Sequence, residues 1–111
     1  MRAGIAGIAA LAIVGVTCAA TAPARAQSPN AARALAANCF TCHGTDGRSV
    51  GGVPPSIAGQ SKQVLLQQLR DFRDGKRPAT IMHQQARGYS DGQLEQIAGY
   101  FAEVKPAPAG Y

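Results

Sequence analysis

Cys39-Phe40-Thr41-Cys42-His43 is the stretch on which the reading of this chain turns. Two cysteines three residues apart, followed at once by a histidine, admit four chemistries. A thioredoxin-like redox pair needs a preceding strand and a βαβ pattern, and neither surrounds this motif. Zinc needs further Cys or His ligands at finger spacing, and beyond the motif the residues after Gln27 offer only His83. A disulfide between Cys39 and Cys42 would close a very small loop and brace almost nothing. The remaining reading is C-x-x-C-H as the attachment signature of c-type haem, in which each thiol adds across a vinyl group and the adjacent imidazole reaches the iron.

The residues before the motif read as a helix. Ser28 is a good N-cap, Pro29 suits the first helical position because it has no amide to lose, and Ala31 to Asn38 is rich in the best helix former. This helix is expected to run into Cys39–Thr41. After it the composition changes: Gly44 to Gly59 holds five Gly and two Pro, and Pro54-Pro55 forbids a helix through that point. A long loop of this kind in a small domain is usually functional or wraps something.

Beyond the loop, Ser61 is placed to cap a second helix with Leu65, Leu69 and Phe72 on one face and Gly75 as its stop. Lys76 to Gly88 reads as irregular. Ser90, with Gln93 three residues on, marks a capping box for a third helix, whose apolar positions are Leu94, Ile97, Ala98, Phe101 and Val104. Pro106 and Pro108 end it, and Lys105 to Tyr111 reads as a frayed tail. No segment alternates with period two, so the expected fold class is all-α, with two long loops.

Length and charge narrow the function. The 111 residues allow one domain, with 46% hydrophobic and 15% charged side chains. Arg2, the apolar run Ala3 to Val16, and Ala24-Arg25-Ala26 look like an export signal cleaved after residue 26. Residues 1–26 are then a signal peptide, residues 27–111 the domain, and the location periplasmic. Lipid attachment at Cys18 is the weaker alternative, because Gly15-Val16-Thr17 is a poor match to the usual approach. Nothing after Gln27 nears the roughly 20 apolar residues of a membrane span. The net charge of +5 is scattered, with no basic run longer than Lys76-Arg77, which argues against nucleic acid. A chain this short needs a staple or a cofactor to supplement its core.

One haem per chain would need a second axial ligand or leave an open site. Thioether and imidazole are the ordinary choices, and the candidates are Met82 and His83. Met82 is favoured because it stands in a polar segment between Pro78 and Gly88, away from any apolar stripe. An iron left open describes a haem enzyme or gas sensor, the alternative function. The expected haem wall is Ile57, Leu65, Leu69, Phe72, Leu94, Ile97 and Phe101, with Phe40, Tyr89 and Tyr100 as packing.

The whole pattern resembles a class I cytochrome c: a first helix running into C-x-x-C-H, a Gly/Pro loop, a middle helix, a loop bearing a methionine, and a last helix that packs across the first. Pro78-Ala79-Thr80-Ile81-Met82 resembles the P-x-T-x-M stretch around the axial methionine of that class. The resemblance implies iron held between His43 and Met82, a carbonyl of Pro55 accepting from His43 Nδ1 (Pro54 being the adjacent alternative), and Thr80 reaching a haem propionate. Gly47-Arg48-Ser49-Val50-Gly51, Pro55-Ser56-Ile57-Ala58-Gly59-Gln60, Phe72-Arg73-Asp74-Gly75 and Ala86-Arg87-Gly88-Tyr89-Ser90 further resemble the cytochrome subunit of flavocytochrome c sulfide dehydrogenases, and less closely small two-haem cytochromes. This chain has one C-x-x-C-H. The resemblance implies electron transfer with redox partner proteins, first a flavoprotein sulfide dehydrogenase subunit, and no enzymatic activity of its own. Lys62, Arg70, Arg73, Lys76, Arg77 and Arg87 form a possible basic docking rim, interrupted by Asp71 and Asp74.

Overall fold

The computed structural model describes residues 28–106 and 108. The stretch read as a signal peptide, its expected cleavage site and Cys18 lie outside these residues. Four helices follow one another: α1 Pro29–His43, α2 Lys62–Arg73, α3 Met82–Arg87 and α4 Asp91–Glu103, with one 3-10 turn at Thr45–Gly47. Among the described residues there is no strand, and no helix is long and apolar enough to cross a membrane. The class is all-α, as expected.

Local signals set the ends of the long helices. Ser28 accepts from the amide of Ala31, and Pro29 opens α1. At α4 the capping box is complete: the Ser90 hydroxyl accepts from the Gln93 amide, while the Gln93 side chain accepts from the Ser90 amide. Ser61 occupies the N-cap position of α2, but its side chain makes no capping hydrogen bond. The last five residues before Gly44 carry the motif, and Gly44 stops α1 at φ 79°. A Cβ there would stand 2.0 Å from the Arg48 carbonyl oxygen, so only glycine can turn the chain directly after His43.

α4 packs across α1 and α2, and α3 packs against α2. Ala36, Leu65, Ile97, Ala98 and Phe101 form the buried cluster, with Leu35, Cys39, Phe40, Ile57, Leu66, Leu69, Tyr89 and Tyr100 packed on it. Leu94 is also fully buried. Phe40 from α1 meets Phe101 edge-on, with ring centres 6.2 Å apart, and Tyr100 and Phe101 lie 5.2 Å apart. These offset geometries are the ones aromatic quadrupoles favour.

Two sequence expectations need correction. Residues 82–87 are helical, not irregular, so Met82 is the first residue of a short helix. The start of the tail is tied down: the Lys105 carbonyl accepts from Arg48 Nε at 2.9 Å, and Pro106 lies against Gly59. Phe72 is half-buried beneath the Arg77 guanidinium, 4.9 Å from its ring centre, and lies outside the central cluster.

Candidate functional site

The motif occupies the C-terminal end of α1. Cys39 and Cys42, three residues apart, share one face of it about a turn from each other. Cys39 is half-buried against the core, Cys42 is exposed, and no disulfide joins them. Burial pushes the Cys39 thiol up, and the neighbouring Cys42 adds to that. The negative end of the α1 dipole also disfavours a thiolate there. Both effects are the reverse of what a thioredoxin-like nucleophile needs. Among the described residues there is no group of three or more His, Cys, Asp or Glu arranged to hold a metal ion.

His43 is buried, and its Nδ1 lies 2.6 Å from the Pro55 carbonyl oxygen. A carbonyl only accepts, so Nδ1 carries a proton, and in the neutral ring the lone pair is then on Nε2. Nδ1–H donation fixes the ring and raises the basicity of Nε2. Two thiols on one helical face and an imidazole with its tautomer set for ligation form a donor set that fits haem c.

Pro55 reaches His43 because the loop is clasped to the turn that follows α1. The Gly47 carbonyl accepts from the amides of Ile57 (2.9 Å) and Ala58 (3.1 Å) and from the Ser56 hydroxyl (2.9 Å). Gly47 has φ 78°, and a Cβ there would stand 2.8 Å from both Ile57 and Phe101. Ser56 Oγ accepts in turn from the amide of Ser49, which is itself buried.

Met82 is half-buried and belongs neither to the central cluster nor to the shell packed on it. A core-filling role is therefore weakly supported. His83 beside it is half-buried as well, and Thr80 is exposed, as is Pro54 next to Pro55. Ile81, which precedes Met82, keeps 49% of its surface exposed.

One feature sequence reasoning missed is Asp46. Its carboxylate accepts from Tyr100 Oη at 2.5 Å and from Arg33 Nε at 3.1 Å, with Arg48 Nη1 3.7 Å away. Tyr100, read as packing, thereby carries a polar role, and Tyr89 likewise accepts from Asn38 Nδ2 at 3.3 Å. The Tyr100 hydrogen bond first, then the two arginines, hold the Asp46 carboxyl below the ordinary range. Burial and the Asp46 charge push the Tyr100 phenol up. Its partners lie 13 and 54 residues away in the chain, beyond what local spacing encodes.

The basic rim is largely neutralised. Lys62 pairs with Glu95, Arg70 with Asp91, Arg73 with Asp74 and Asp91, and Lys76 with Asp74. Among the described residues only Arg77 and Arg87 of that set have no acidic partner.

Comparison with known proteins agrees with the geometry. The cytochrome c family pattern matches residues 29–105. The cytochrome subunit of sulfide dehydrogenase from Chlorobaculum tepidum is 41% identical over 70 residues, which are 63% of this chain and 63% of that protein. The thiosulfate dehydrogenase electron acceptor of Stutzerimonas stutzeri is 41% identical over 75 residues, 65% of this chain and 35% of that one. The solved structure of reduced cytochrome c4 from Pseudomonas stutzeri superposes with a TM-score of 0.67 at 34% identity, covering 74% of this chain and 48% of that one. The chain thus spans between a third and two thirds of the length of these relatives. It belongs to the cytochrome c family. Its described fold is that of a class I c-type cytochrome, whose cofactor is haem c, and Cys39, Cys42 and His43 fit the C-x-x-C-H motif.

Proposed function

We propose that this chain is a periplasmic one-electron carrier, its iron held by His43 and Met82, which accepts electrons from a flavoprotein sulfide dehydrogenase. Bound haem supplies the one-electron couple. The chain's residues do the rest. His43 presents Nε2 while Pro55 holds the Nδ1 proton, and Met82 presents a thioether from the first turn of α3. Thr80, exposed two residues earlier, would donate to a propionate. His43 and Met82 would hold the iron, and a neutral thioether ligand favours the reduced form relative to an anionic one, so a comparatively high potential is expected. With both residues holding the iron, no coordination site would be left for a substrate.

The observation that supports the ligand reading is the His43–Pro55 hydrogen bond, because it occupies Nδ1 and leaves Nε2 as the nitrogen available to a metal. The partner reading is supported by the evenness of the sulfide dehydrogenase match, which spans 63% of both proteins, whereas the thiosulfate dehydrogenase acceptor is spanned for 35% of its length.

The test begins with the full chain matured in a periplasmic haem-attachment host. Covalent haem on a denaturing gel, sharp low-spin ferrous bands and the weak far-red band of a sulfur-to-ferric-iron bond are expected. Mixing the oxidised protein with a flavoprotein sulfide dehydrogenase and sulfide should then reduce it within the turnover time of the enzyme. Rapid binding of carbon monoxide by the ferrous protein would instead favour the gas-sensor reading. A normal spectrum without reduction by that enzyme would overturn the partner and leave the carrier.

A further inference from the structure

The hydrogen bond to His43 raises a question the motif does not answer: what holds its acceptor still. Pro55 is exposed, it follows Pro54, and neither proline has an amide to tether it. The Pro55 carbonyl belongs to the rigid planar peptide unit that ends at Ser56 Cα. Ser56 is the first residue after the proline pair whose side chain is anchored, and it is anchored twice. Its hydroxyl donates to the Gly47 carbonyl at 2.9 Å and accepts from the Ser49 amide at 3.2 Å. The donor and acceptor capacity of one hydroxyl is thus directed onto both sides of the turn that leaves α1 four residues after His43.

We infer that Ser56 is a positioning residue for the axial imidazole: its hydroxyl locks the Pro55–Ser56 peptide plane so that the carbonyl faces His43 Nδ1. This rests on His43 being an iron ligand, the reading proposed above. The Gly47 carbonyl keeps two amide donors, from Ile57 and Ala58, when the hydroxyl is removed, so the loop stays attached at residues 57 and 58. The loss therefore falls on the peptide unit before them. A freer carbonyl accepts less well, Nδ1–H donation weakens, and the imidazole becomes a poorer donor to ferric iron. The reduction potential then rises.

The experiment uses the haem-loaded full chain and three variants, Ser56→Ala, Ser56→Thr and Gln60→Ala. Gln60 Nε2 donates to the Ser56 carbonyl at 2.7 Å, on the next peptide unit, and so controls for general loosening of the loop. Proton NMR of the ferric protein reads the hyperfine-shifted ring resonances of His43 and the solvent exchange of its Nδ1 proton; voltammetry reads the potential. Ser56→Ala should speed Nδ1 proton exchange about tenfold, the factor that corresponds to losing one ordinary hydrogen bond. It should also move the ring resonances and raise the potential. Ser56→Thr should restore all three, and Gln60→Ala should lower the melting temperature while leaving them in place.

If Ser56→Ala lowers the melting temperature but leaves exchange, resonances and potential unchanged, the hydroxyl braces the loop and nothing more, and the inference fails. It fails too if Ser56→Thr behaves as Ser56→Ala does. Absence of hyperfine-shifted His43 resonances in the unmodified protein would overturn the ligand reading itself, and the inference with it. The two failures are told apart by the unmodified protein alone.

Discussion

Asp46 stands at φ 54°, a left-handed conformation that Asp and Asn tolerate better than other side chains. From there one carboxylate joins α1 through Arg33, α4 through Tyr100 and the end of the described chain through Arg48. Asp46→Asn keeps the backbone preference and removes the charge. It should lower stability by about 1–2 kcal/mol, the size of hydrogen bonds to a charged group partly open to water. The sign with pH follows from the lowered Asp46 pKa: its contribution is present above the unfolded value of about 4 and is lost as pH falls through the folded one. Urea unfolding of both proteins at neutral pH and near pH 3 should show a gap that narrows in acid. Met82 invites a second test at this scale. Met82→Ala should abolish the far-red band, open the iron to carbon monoxide and lower the potential, while His83→Ala should change none of these. The opposite pattern would move the ligand to His83.

The helices differ in how openly their causes are written. α1, α2 and α4 begin and end on local signals, Ser28-Pro29, Ser61, Gly75 and Ser90 with Gln93, and their apolar residues recur at helical spacing, so they could be read directly. Ser90→Ala removes the hydroxyl half of the capping box and should cost about 1 kcal/mol in a denaturant titration. α3 was not legible, for a physical reason. Met82-His83-Gln84-Gln85-Ala86-Arg87 has no apolar period, Ile81 supplies no capping side chain, and six residues fall below the length at which a helix forms unaided. Its one buried residue is Ala86, and its packing against α2 decides its state. At the site, the motif told its chemistry by itself, whereas Pro55 was named through family resemblance, and the clasp of Ser56 on Gly47 and Ser49 depends on a loop path that spacing does not encode.

Across the whole domain, charge is balanced rather than massed. Four of the six residues of the supposed basic rim are paired with Asp or Glu, which leaves a weak long-range field for a partner to follow. The rate of reduction by a partner should therefore fall only a few-fold as salt is raised from low to physiological strength, as stopped-flow traces would show. The central cluster is small for the chain's length, with only Leu65, Ile97 and Phe101 as large buried members. Chemical removal of haem should therefore leave a largely unfolded chain by far-UV circular dichroism.

The half-buried position of Cys39 against that cluster sets an order of events in the making of the protein. Once α1 has closed on α4, the Cys39 sulfur is shielded by its neighbours, while Cys42 remains open to reagents. Thioether formation at Cys39 is therefore faster on the open chain than on the docked helices. In biogenesis the covalent step comes on the open chain, and compaction follows the haem it attaches.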